Sequence, residues 1–462
     1  MLFWLVAIVA GGTFLIGDPR SFWLLGGLII LGALTPAVLK THEHTHPFFV
    51  DKLWPMFWLC SIPVWAVIFQ FALGFLQSPI VPIRASETDY LGLNPVSIWR
   101  PTTAAGGSTW VTLLGFGAAY LMALMLFLIP KSRAFFQRLL PPLCAGAVCL
   151  ALLGYLQHGL SLDSPILTKG TGLADFFAFF PYDGHWAAFA TLWCTTCIGM
   201  ALLSTRYEDS PIFVQSSGPW YLTGGALLGA TGFLVVNPIP AAVLLLTLAL
   251  MLLIVAIDFT TRSKDPHRHT VAMASGLAAC VSFAASISRI SQQSTSGETA
   301  GPLRKAALDM FQASPIFGWG PEGYAQMLPF FAHDQLLGQR FDRADSDLLQ
   351  LLVEFGIFGA LIVFGFFAWF LYRYLAGKHD IQLTNHLLIG CTAVLILAVW
   401  DSPFMSPTVF LSFFLLFFTA MRWADLSRNK VDDVDAARPQ LVTPASQRRL
   451  PFFTGTHKET HK

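Results

Sequence analysis

Long apolar runs, separated by short polar joints, dominate the chain from its first residue to about Arg422. Within the runs there is no strict alternation of the kind that marks a half-buried strand, and most are too long for one. A bilayer core takes roughly 20 apolar residues per helix, so these runs predict about a dozen membrane-spanning helices. The expected spans are 2–17, 21–39, 52–76, 108–129, 141–159, 184–203, 218–235, 240–258, 270–289, 348–375, 386–401 and 405–422. The joint Asn237-Pro238-Ile239-Pro240 is read as a break between two helices, because proline cannot continue the helix that precedes it. Met1 to Gly17 lacks a basic leader and a small-residue cleavage site, so it is expected to be a retained helix and not a signal peptide.

Composition narrows the class. Over 462 residues the chain is 55% hydrophobic and 12% charged, where a soluble domain carries about 25% Asp, Glu, Lys and Arg. An all-α polytopic membrane protein embedded in the lipid bilayer is expected. The net charge of +1 gives no basic footprint for phosphate backbones, which argues against a nucleic acid partner. The seven cysteines all lie in apolar runs, as packing residues would; Cys194 and Cys197 form C-x-x-C without a second pair. His42, His44 and His46 alternate in a short loop with Glu43, too few ligand types for a convincing metal site, and no metal or cofactor is expected.

Lys and Arg gather in alternate loops: Lys40 and Lys52; Lys131, Arg133 and Arg138; Arg206; Arg262, Lys264 and Arg268; Arg373 and Lys378. The intervening short loops hold only Arg20, Arg84, Arg100 and Lys169. Cytoplasmic loops carry the basic excess, so both termini are expected in the cytoplasm of a multi-pass protein of the bacterial inner membrane. The organisation expected is a transmembrane unit over 1–422, a long extracytoplasmic loop over 290–347 between the ninth and tenth spans, and a polar, disordered tail over 423–462. That loop holds the aromatic and glycine-rich stretch Phe311 to Phe331, which predicts a folded segment.

Two stretches carry a resemblance. RKAALDMFQASPIFGWGPEGY, Arg304 to Tyr324, and RADSDLLQLLVEFGIFG, Arg343 to Gly359, are similar to the signature of the bacterial O-antigen ligase and O-antigen polymerase family. Pro315 to Pro321 resembles its glycine-tryptophan turn, and Asp347 to Gly356 its entrance into a membrane helix. Phe180-Pro181-Tyr182-Asp183-Gly184-His185-Trp186-Ala187 is similar to a further helix start of that family. The resemblance implies a membrane glycosyltransferase of GT-C-like architecture. It would transfer or polymerise a glycan from an undecaprenyl-diphosphate-linked donor onto a hydroxyl of another glycan, of lipid A-core or of a protein. A catalytically degenerate member, or a polysaccharide or lipid transporter on the same scaffold, is the alternative; no internal repeat of the transporter kind is visible.

Such chemistry must stabilise a departing diphosphate and remove a hydroxyl proton. A guanidinium stays charged and binds phosphate oxygens as a fork, and Arg304 stands at the family's arginine position. Asp345 stands where the family carries its functional His, and Arg343 replaces the first His of the same motif. A carboxylate with a reference pKa of about 3.9, against about 6.5 for His, is the weaker base unless burial raises it. The family's mid-chain arginine is missing from Val236 to Ala241. Glu354 lies two turns into an apolar helix on the face of Asp347 and Gln350, and an acid at that depth normally faces a protein interior or a wet cavity. Arg304, Asp345 and Glu354 are therefore the candidate catalytic residues. Arg343, Arg340, His185, Asp347, Gly318 and Gly320 are the candidate substrate-binding residues. Asp345, Ser346 and Asp347 also have the chemistry of helix caps, and Asp401 reads as a cap or loop residue.

Overall fold

The computed structural model describes residues 54–437, apart from breaks at 75, 86–87, 95–96, 105–108, 129, 131, 162–175, 208–212, 262–264, 293–299, 333–335, 337–340, 342 and 376–380. The first two expected spans, the His42–His46 loop and the tail from 438 onward lie outside the described residues.

Each apolar run from residue 54 onward is helical. In chain order the helices are α1 (Trp54–Cys60), α2 (Ile62–Gly74), α3 (Thr109–Leu128), α4 (Arg133–Gly159), α5 (Asp183–Tyr207), α6 (Gly218–Ala230), α7 (Pro238–Thr261), α8 (Arg268–Gln292), α9 (Ala300–Ala313), α10 (Gly323–Phe331), α11 (Asp347–Leu375), α12 (Gln382–Leu397) and α13 (Pro407–Ala437). Among the described residues six helices, α4, α5, α7, α8, α11 and α13, are long and apolar enough to cross a membrane; α2, α3 from Gly115 onward and α12 are shorter apolar helices. The expected span 52–76 is two helices meeting at Ser61, whose hydroxyl turns back onto Trp58 O at 2.9 Å. One element was not foreseen: an antiparallel hairpin, β1 (Ile80–Ala85) with β2 (Thr88–Leu93), in register Ile83 to Tyr90.

α5 is the hub. It packs against α6, α7, α12 and α13, and its whole apolar window is buried inside the protein. A helix that is hydrophobic all round belongs in such a place. Its hydroxyls are satisfied within the helix, Thr191 donating to Ala187 O at 2.7 Å and Thr196 to Leu192 O at 2.7 Å. Small partners let neighbouring backbones close in: a side chain on Gly225 would run into Ile198 and Cys197, and one on Gly390 into Thr195. α8 and α11 instead leave Met273, Leu277, Val281, Leu361 and Phe364 exposed, the surface expected of helices bordered by lipid.

α11 is broken at Gly356, whose φ of 63° and ψ of −166° are not helical. A break at membrane depth frees backbone groups that must be satisfied by protein. The Pro315–Gly320 turn does this. Trp319 N donates to Val353 O at 2.9 Å and Gly320 N to Glu354 O at 3.0 Å, while Ile357 N and Phe358 N donate to Pro315 O and Ile316 O at 2.8 and 3.1 Å. From α2, Gln70 Nε2 donates to Glu354 O at 2.9 Å and to Phe317 O. Trp319 is anchored through Nε1 to Met310 O at 2.8 Å. α9, α10 and the start of α11 thus close over a small core of Leu303, Ala307, Met310, Trp319, Tyr324 and Val353.

Candidate active site

Two chain segments meet the start of α11: the helix entrance at Tyr182 to His185 and the turn between α12 and α13. Asp347 N donates to Asp401 O at 3.0 Å and Leu348 N to Ala398 O at 3.2 Å, so the turn fills the open amide end of α11. Ser346 is its cap: the hydroxyl accepts from Leu349 N at 3.3 Å and donates to Val399 O at 2.9 Å. This leaves both flanking acids free of capping. Asp347 Oδ2 accepts from Phe404 N at 2.7 Å. Asp345 sits at φ 55°, a left-handed conformation that Asp and Asn tolerate better than most side chains, and is half-buried.

The side chains around this junction are polar and largely buried. Asp401, 6% exposed, accepts from Tyr182 Oη at 3.2 Å on each oxygen and from Ser402 N at 2.7 Å. A Cβ on Gly184 would come within 2.6 Å of Asp401 Oδ2, so the missing side chain admits the carboxylate. Arg343 lies with Cζ 5.3 Å from the Tyr182 ring centroid and Nη1 3.2 Å from His185 Nε2. The same Nε2 is 3.1 Å from Ser402 O. Those two contacts are alternatives, since Arg343 needs Nε2 unprotonated and Ser402 needs it protonated. Asp183, buried at the first turn of α5, binds Val236 N at 2.6 Å, Asn237 N at 3.2 Å and the Asn237 amide, fixing the loop before α7.

Arg304, on α9, reaches the same turn from the other side, with Nη2 donating to Trp400 O at 3.1 Å. Its Nε is buried and has no hydrogen-bond partner among the described residues. Asp345 lies close enough for its charge to bear on the Asp401 carboxyl and on the Tyr324 phenol. Glu354 lies deeper. Its carboxylate accepts from Gln350 Nε2 at 3.1 Å and from the backbone amides of Glu322 and Tyr324, which places it over the N-terminus of α10. Gly318 and Gly320 have φ of 69° and 87°, and a Cβ at either would lie 2.5 to 2.6 Å from backbone of Glu354 or Thr102. Their missing side chains serve backbone packing around the break in α11. Arg340 lies outside the described residues. Tyr182 and Asp401 were the side chains that sequence reasoning left out of the site, although an ionisable residue at a membrane helix end, such as Asp401, is itself a signal.

Burial raises the Asp401 carboxyl to about 6, against the lowering effects of its bonds to Ser402 N and Tyr182 and of the Arg343 charge. An acid whose pKa is higher folded than unfolded binds its proton more tightly when folded. This group therefore adds stability as the pH falls from about 6 towards the unfolded value near 3.9, and adds none at neutral pH. Thermal unfolding of the purified protein followed from pH 7.5 to pH 5 should show that contribution, and Asp401→Asn should remove it. An unchanged pH slope in Asp401→Asn would contradict the assignment.

Residues 211–364 match a family model described as O-Antigen ligase. The matched segment includes Arg304, Arg343, Asp345 and Glu354 and stops short of Asp401. No curated protein and no solved structure matches the chain.

Proposed function

We propose, for a chain that belongs to the O-antigen ligase family through residues 211–364, that it transfers a glycan from an undecaprenyl-diphosphate-linked donor to a hydroxyl acceptor at the extracytoplasmic face of the inner membrane. The observation that carries the reading is the junction at the start of α11, where Arg304, Arg343, Asp345, Asp401, Tyr182 and His185 gather around the turn 398–402. Lipid-linked diphosphate sugars need a cationic site at the membrane border, with a proton acceptor beside it. The sparse Lys and Arg of the loops on this side support the extracytoplasmic assignment.

In this reading the acceptor oxygen attacks the anomeric carbon, forming a new C–O bond as the bond to the diphosphate breaks. The electron pair leaves with undecaprenyl diphosphate, and the acceptor proton passes to a carboxylate. Arg304 meets the charge growing on the diphosphate, with Arg343 adding positive field. Asp345 takes the proton: it is half-buried, accepts no hydrogen bond among the described residues, and is free of the capping duty that Ser346 performs. Asp401 and Tyr182 hold Arg343 and the acceptor side of the junction. Glu354 positions α10 against α11.

The departures at positions 343 and 345 favour a second reading, a family member that no longer transfers, and the two are separated at Asp345. Asn is nearly isosteric and tolerates the same backbone angles. Asp345→Asn should fold normally and lose transfer by about a hundredfold or more, measured with a lipid-linked oligosaccharide in nanodiscs. Asp345→His should retain activity. Full activity in Asp345→Asn would remove this residue from the chemistry.

A further inference from the structure

Buried polar atoms nearly always find partners, because leaving one unpaired is costly. α9, α10 and α11 pack on one another, and each buries one polar atom with no hydrogen-bond partner among the described residues: Arg304 Nε, the Tyr324 hydroxyl and Gln350 Oε1. Tyr324 is the most telling of the three. Its side chain is fully buried, in a core shared with Leu303, Ala307, Met310, Trp319 and Met327. Phenylalanine would fill that core equally well, so the hydroxyl contributes nothing to packing. The residue's backbone amide is already committed to Glu354, which fixes the start of α10 beside α11. Burial, with the charge of Asp345 second, pushes the phenol further up from its ordinary value, so it remains an O–H donor throughout the working pH range.

The three unpaired atoms are two donors and one acceptor. An anion alone would leave Gln350 Oε1 unmatched, and a carboxamide or simple alcohol would not call for a guanidinium. A sugar attached to a diphosphate offers both kinds of group side by side. We infer that the Tyr324 hydroxyl is a substrate-binding donor, sharing with Arg304 Nε–H the diphosphate oxygens of the lipid-linked donor while Gln350 Oε1 accepts from a sugar hydroxyl. This rests on the glycosyl diphosphate substrate proposed above and adds a residue to it.

Tyr324→Phe tests the inference, because a structural role and a binding role predict opposite results. The variant, compared with wild type in nanodiscs, should unfold at an unchanged or higher temperature, since an unpaired buried hydroxyl has been removed. Its kcat/KM for glycan transfer should fall roughly ten- to a hundredfold, the range for a hydrogen bond to a charged group. Transfer at the wild-type rate overturns the inference, as does a variant that fails to fold, because the hydroxyl would then be bonded within the protein. A wild type that transfers nothing would sink the proposed function by itself. Thermal protection by undecaprenyl diphosphate then decides Tyr324: protection that needs about tenfold more lipid in Tyr324→Phe supports the donor role, and equal or absent protection overturns it.

Discussion

Arg304→Ala is expected to lose glycan transfer by about a hundred- to a thousandfold, the scale of removing one preorganised donor from a developing negative charge. The protein should remain folded. Among the described residues Arg304 makes one hydrogen bond, from Nη2 to Trp400 O, which is exposed, and losing it should cost no more than about 1 kcal/mol. Arg304→Lys should recover only part of the activity, because an ammonium cannot supply both Nη2 to the turn and Nε to the ligand. Steady-state transfer rates alongside thermal unfolding of each variant separate the two effects. Full transfer by Arg304→Ala would leave the departing diphosphate without its proposed partner.

The largest effect on stability is expected at Gly356. Alanine there must adopt φ 63° and push its Cβ into the backbone of Ile316 and Phe317. The left-handed conformation alone costs roughly 1–2 kcal/mol. Displacing the turn would also unpair Val353 O, Glu354 O and the amides of Ile357 and Phe358 at membrane depth. A loss of about 3 kcal/mol or more follows, with the fold of α9 and α10 lost first. Gly365 is the control on the same helix. A Cβ there meets nothing within 4 Å, so Gly365→Ala should be neutral or gain up to about 1 kcal/mol. Detergent-solubilised protein followed by thermal unfolding and by proteolysis of the 300–346 segment reads both. Equal stability in the two variants would contradict the account of the broken helix.

Hydrophobic run length located the apolar helices from residue 54 onward, six of them long enough to cross a bilayer among the described residues, but it did not reveal α9 and α10, which lie within the expected loop. It was less informative about ends. α4 begins at Arg133, well before the expected 141, since its first turns bury Phe136, Leu139 and Leu140 against protein and not lipid. α13 runs on to Ala437 where a tail was expected to begin. The hairpin at 80–93 sits in a short polar joint whose strands carry too few residues for a period to stand out. At the candidate site, the resemblance named segments that the fold brings together at the start of α11, but helical spacing says little of what each side chain meets. Asp347, Gln350 and Glu354 share a face, yet Asp347 is bound to Phe404 N and Glu354 to the N-terminus of α10. What divides them is the segment that each meets, the turn between α12 and α13 for Asp347 and the start of α10 for Glu354, and spacing within α11 records neither. Asp401 and Tyr182 are far from Arg343 in sequence and meet it only through packing, so no local pattern announced them.

The central claim is tested most directly by the purified wild-type chain in nanodiscs, given an undecaprenyl-diphosphate-linked oligosaccharide carrying a labelled glycan and a hydroxyl acceptor. Glycan on the acceptor and free undecaprenyl diphosphate should appear in equal amounts, and both should form at least about a hundredfold more slowly when Arg304 is alanine. Donor that stays intact with every class of acceptor, glycan, lipid A-core and protein, while the same protein binds it, would contradict the account and leave a chain that holds lipid-linked glycans without transferring them.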